Sequence, residues 1–131
     1  MNPATIDLPT RSGVVGPFTP DVTDARGRIN VRDLACVLDL PMTTLAPWLG
    51  FKVRWLNANP TAANAQERAA VVLLIANTIA TEVGDKKYVP VFMRTRQPGL
   101  KNETPAEQLR KGRLDYLAAF VGQALYPDLT Q

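Results

Sequence analysis

NAQERAAVVLLIANTIATEVG, residues 64–84, is the stretch whose reading decides the fold class. Its centre, Ala69 to Ala76, is apolar at eight consecutive positions, so a helix through it is apolar on every face rather than along one stripe. Such a helix is buried on most sides. The sequence predicts a helix over 64–83, with Asn64 as its cap, Glu67 completing a capping box and Gly84 ending it in a left-handed turn. The apolar run is far shorter than the roughly 20 residues needed to span a bilayer. No alternating pattern of strand length accompanies it. Tyr88 to Met93 is the one candidate strand, and Pro90 counts against it. The expected fold is all-α, a small helical bundle.

Upstream, Asn30 is a good N-cap with Asp33 in the first turn, and Ile29 is placed to staple onto Leu34. Leu34, Ala35, Val37 and Leu38 form an apolar face, Cys36 within it reads as a small buried hydrophobe, and Pro41 stops the helix. Thr43 is read as the cap of a second short helix closed by Gly50, with Pro47 early enough to be tolerated. This pair has the spacing of a helix-turn-helix. Ala35 is the small residue at the crossing, with Leu34, Leu38 and Leu40 before the turn and Leu45 and Trp48 after it. A plain αα-hairpin fits the same pattern. Residues 1–25 read as an N-terminal arm, 26–60 as the helix-turn-helix-like region and 61–131 as a further helical domain. In that last part Thr104-Pro105-Ala106-Glu107 is a capping box, Gly112 ends its helix, and a final helix follows from Arg113 to Leu125.

The chain has no histidine, one cysteine and, apart from Ser12, no serine. That excludes His-based acid–base chemistry, Cys/His zinc sites and intrachain disulfides, and no Gly-rich phosphate loop occurs. An enzyme, a metal site and a cofactor are therefore not expected. The polar, proline-bearing N-terminus has no apolar signal core, so a cytoplasmic protein without a membrane segment is expected.

The net charge of +3 is unevenly spread. Between positions 86 and 113 lie eight basic residues against Glu103 and Glu107; between 26 and 56 lie five against Asp33 and Asp39. Two basic islands suggest two anionic contacts, although solvated helix faces would look the same. For the middle island the expected DNA contacts are Arg26, Arg28, Arg32, Lys52 and Arg54 on phosphates, with Thr43 and Thr44 towards a groove.

The stretch from Phe92 to Leu109, then Lys111-Gly112 and an amphipathic helix, resembles the toxin-binding domain of the Xre/MbcA/ParS antitoxin family. Leu100, Asn102, Thr104, Pro105, Leu109 and Gly112 fall in step with the family's pattern. Phe92 stands where that family usually has tryptophan, and Asn102 where it usually has glycine. The resemblance covers about residues 29–125. It implies a dimeric antitoxin of a type II toxin–antitoxin pair that binds a RES-domain, NAD-degrading toxin, covers its pocket and represses its own operon. On that reading the toxin-binding residues are Arg94, Arg96, Lys101, Arg110, Lys111 and Arg113, with the tail from Tyr126 to Gln131 as a plug. The alternative is a stand-alone helix-turn-helix regulator whose C-terminal half only dimerises.

Overall fold

Asn30 behaves as a cap must: its side chain accepts hydrogen bonds from the backbone N–H groups of Arg32 and Asp33 at 3.0 and 3.1 Å. The helix it starts is one of seven α-helices between residues 16 and 113 of the computed structural model, which describes those residues and, beyond them, Ala119. We label them α1 (Thr19–Val22), α2 (Val31–Val37), α3 (Met42–Leu49), α4 (Val53–Ala58), α5 (Gln66–Val83), α6 (Tyr88–Met93) and α7 (Pro105–Arg110). Among the described residues there is no strand, and the fold is all-α. No described helix is long and apolar enough to cross a membrane.

The centre is α5. Ala69, Ala70, Val72, Leu73, Ile75, Ala76, Ile79 and Ala80 are buried, and Gly84 closes the helix at φ 77°. Its beginning differs from expectation. Ala63–Ala65 winds into a 3-10 turn that buries Ala65, leaves Asn64 exposed, and gives α5 no side-chain cap. The ordering contact is instead Gln66. Its amide accepts from Ile29 N at 2.7 Å and donates to Ile29 O at 2.8 Å, fastening the entry of α2 to the start of α5.

Residues 16–23 are the part of the expected arm that lies on the body. Proline in the first turn of α1 is well tolerated, and Phe18 and Val22 are buried in the common core. Phe18 N donates to Oδ1 of the buried Asn77 at 2.8 Å, so α1 is fixed to α5 by a hydrogen bond as well as by packing. The inner face of α2 is Val31, Leu34, Ala35 and Leu38, a helical i, i+3, i+4, i+7 set. Cys36 falls on the opposite side and is exposed, against the buried position expected for it.

The turn after α2 carries Asp39 at φ 56°, the left-handed region that Asp enters more readily than most side chains. Helix α3 starts one residue before the expected cap, with Pro41 at the N-cap and no side-chain acceptor. Pro47 is therefore the sixth helical residue. Having no N–H, it cannot donate the intrahelical hydrogen bond to the carbonyl of Thr43, which is exposed. Helix α6 replaces the doubtful strand: Pro90 is its third residue, where a missing N–H is harmless.

The most extensive contacts of α3 are with α7, beyond those with α2, α4 and α5. One core runs from Phe18 to Leu109, crossing the expected division between residues 60 and 61. The final helix expected from Arg113 to Leu125 lies outside the described residues.

Candidate functional site

The segment 96–113 builds its shape from its own backbone. Gln97 N donates to Glu103 O at 3.0 Å and Asn102 N to Gln97 O at 3.0 Å, closing a short loop. Leu100 hangs beneath that loop with no exposure. Lys101 and Asn102 both turn left-handed, at φ 57° and 63°. Asn is among the side chains least opposed to that conformation, so Asn102 does there what glycine does elsewhere. Thr104 then caps α7: its hydroxyl accepts from Glu107 N at 3.1 Å, and Glu107 Oε1 accepts from Thr104 N at 2.8 Å. That backbone N–H is the main reason the Glu107 carboxyl is held below its ordinary value.

The cations expected to bind a partner here differ in their surroundings. Lys111 forms an ion pair with Glu103, and Arg113 lies 3.9 Å from the same carboxylate. The hydrogen bond from Lys111 is the main cause of the lowered Glu103 pKa, against the opposing effect of partial burial. Arg94 forms an ion pair with Asp39 in the α2–α3 turn and donates to its carbonyl at 2.9 Å. Arg96 donates to Asn102 O at 3.2 Å and braces the loop from outside. Lys101 and Arg110 are exposed and carry no ion pair among the described residues. Much of this island's charge is thus answered within the chain. Tyr126 and Gln131 lie outside the described residues.

The middle island is the reverse. Arg26, Arg28, Arg32, Lys52 and Arg54 are all exposed, and none has an ion-pair partner among the described residues. Arg26 and Arg28 flank a turn that Asp24 organises through their backbone N–H groups, at 2.9 Å each. Arg32 is in the first turn of α2; Lys52 precedes α4 and Arg54 lies within it. Thr43 is exposed on α3, but Thr44 is buried, being carried inward with Leu45. Thr44 therefore cannot reach a groove, and its expected role is withdrawn. The end of α3 is pinned as well. Arg68 donates to Trp48 O at 2.8 Å and lies 4.9 Å over the Trp48 ring, whose N–H donates to Arg68 O at 3.3 Å.

Sequence reasoning missed a third surface. Val83, Tyr88 and Val91 are 48%, 57% and 58% exposed, three of the four large exposed hydrophobics among the described residues. They line a groove of about 520 Å³ with Ile79, Phe92 and Gln97, between the end of α5 and α6. The signal was present in Tyr-Val-Pro-Val-Phe: wound as a helix, it has apolar residues on more faces than one neighbour covers.

Compared with known protein families, characterised proteins and solved structures, the chain gives no match.

Proposed function

We propose that this protein is the antitoxin of a type II toxin–antitoxin pair, binding a RES-type NAD-degrading toxin, covering its pocket and repressing its own operon from the cytoplasm. The observation that carries the reading is the conformation of residues 97–112. Leu100 and Leu109 are buried, Asn102 takes the turn for which the resembling family uses glycine, Thr104-Pro105 starts α7 through a complete capping box, and Gly112 turns left-handed. Asn102, the Thr104-Pro105 start and Gly112 thus each have a backbone reason, and Leu100 and Leu109 a packing one. Lys101 and Arg110 remain on the surface for a partner.

A homodimer belongs to the same proposal, on a revised basis. The apolar faces of α5 are largely satisfied within one chain, so α5 no longer argues for a second copy. The Val83–Tyr88–Val91 groove does, because contiguous exposed apolar surface marks interaction sites. The unpaired cations of residues 26–54 favour DNA contact and equally suit a regulator that has no toxin partner.

Co-expression with a RES-domain toxin encoded beside this gene separates the two. The antitoxin reading expects co-purification and preserved cellular NAD, both weakened by Lys101→Glu with Arg110→Glu in a protein that remains folded. Full NAD loss with no complex formed would leave the regulator alone standing.

A further inference from the structure

The hairpin with helix-turn-helix spacing does not give its second helix a reading face. Of the eight residues of α3, Thr44, Leu45, Ala46 and Leu49 are buried, Met42 and Trp48 are partly so, and only Thr43 and Pro47 are exposed. One hydroxyl and one proline ring provide no bidentate contact to a base edge. The buried side cannot be turned outward, because it is the side that holds α7.

The next helix has what α3 lacks. In α4, Leu56 is buried without exposure and fixes the inward face. Arg54, Asn57 and Ala58, at i, i+3 and i+4, share the opposite face and are exposed. Arginine matches the O6 and N7 acceptors of guanine, asparagine the N6 and N7 pair of adenine, and a small apolar side chain the thymine methyl. Lys52 precedes this face directly, and α2, carrying Arg32, packs against α4. No carboxylate among the described residues pairs with Arg32, Lys52 or Arg54.

We propose that α4, not α3, is the element that reads base pairs in duplex DNA, through Arg54 and Asn57, with Lys52 and Arg32 on the phosphates. This rests on the DNA-binding part of the function proposed above and names the residues responsible for it. Single-stranded nucleic acid is the less favoured partner. Among the described residues the one exposed aromatic ring near these cations, Trp55, already spends a face on Phe51, with centroids 4.8 Å apart. Strand binders need rings free for bases.

The test uses the full chain and a pool of randomised duplex DNA, from which the wild-type protein selects a preferred sequence. Anisotropy titrations then compare that duplex with a scrambled one and with its separated strands. Arg54→Ala and Asn57→Ala should each lose about tenfold or more on the selected duplex, change little on the scrambled one, and relax the preference at one base pair. Lys52→Ala should weaken both duplexes alike and lower the salt slope by about one. Thr43→Ala should leave the preference as it was. The α4 assignment is overturned if Thr43→Ala shifts the preference while the α4 variants weaken both duplexes equally. It is also overturned if separated strands bind more tightly through Trp55, as read by Trp55→Ala. No duplex retained by the wild-type protein would instead remove the DNA-binding reading itself. All the substituted side chains are exposed, and circular dichroism checks the fold of each variant.

Discussion

Gln66 offers the sharpest test of how the two ends of the core are joined. Its amide is the partner of both Ile29 N and Ile29 O, at 2.7 and 2.8 Å, and Ile29 is 3% exposed. Gln66→Ala leaves that N–H and C=O without partners. An orphaned buried polar group costs about 1–3 kcal/mol. Because Gln66 is itself only part-buried, some water reaches the gap, and about 2 kcal/mol in total is the expectation. With an unfolding entropy of about 2 cal/mol/K per residue over this chain, that lowers Tm by about 7 °C. Gln66→Glu is more telling. It keeps the acceptor for Ile29 N but sets a carboxylate oxygen against Ile29 O, where an N–H is needed. The folded state then favours the protonated acid, raising its pKa above the unfolded value of about 4.3. A raised folded pKa makes the missing stability return as pH falls towards the unfolded value and disappear as pH rises through the folded one. Thermal unfolding by circular dichroism between pH 4 and 7 reads this. The gap between Gln66→Glu and wild type should narrow towards pH 4, whereas the gap for Gln66→Ala should stay constant. Equal Tm values for all three proteins at pH 7 would refute the clamp.

Three further outcomes follow from the same geometry. Phe18→Ala should cost about 3–5 kcal/mol, measured by urea unfolding, because Phe18 is a buried core residue and not part of a free arm. Thr104→Ala should cost about 1 kcal/mol through loss of the N-cap, while Thr104→Ser should restore most of it. The lowered pKa values of Glu103 and Glu107 mean that both carboxylates stabilise the fold above the ordinary value of 4.5, an effect lost as pH falls through their folded values. Glu103→Gln with Glu107→Gln should therefore be less stable than wild type at pH 7, yet lose less on acidification. An unchanged acid limb would contradict the assigned hydrogen bonds.

What the sequence revealed depended on whether the signal was local. Gly50, Gly84 and Gly112, the Asn30 cap and the Thr104 box act within four residues of themselves, and each sits where its chemistry requires. Asn64 also has good capping chemistry, but burial of Ala65 tightened the chain ahead of α5 and took the position away. Pro90 counts against a strand, but in the first turn of a helix it is indifferent. Helix α4 is invisible in the sequence pattern because one buried leucine in six residues makes no stripe. The candidate surfaces were legible as lists of cations only. That Arg94 is answered by Asp39, 55 positions away, while Arg54 is answered by nothing described, is a property of the folded chain. Thr44 fails as a groove contact for the same reason: it is buried on α3, whose most extensive contacts are with α7, from the far end of the sequence.

The contact between α3 and α7 has a consequence in time. Residue 49 ends α3 and residue 105 begins α7. At a synthesis rate of about 5–20 residues per second, the ribosome needs roughly 3–11 s to make the chain between them. For that interval α3, whose Leu45 and Leu49 are buried in the finished fold, lacks its most extensive contact. A chain arrested before residue 105 is thus not a smaller version of this protein. The half that would touch DNA matures only after the half that would hold a partner has been translated.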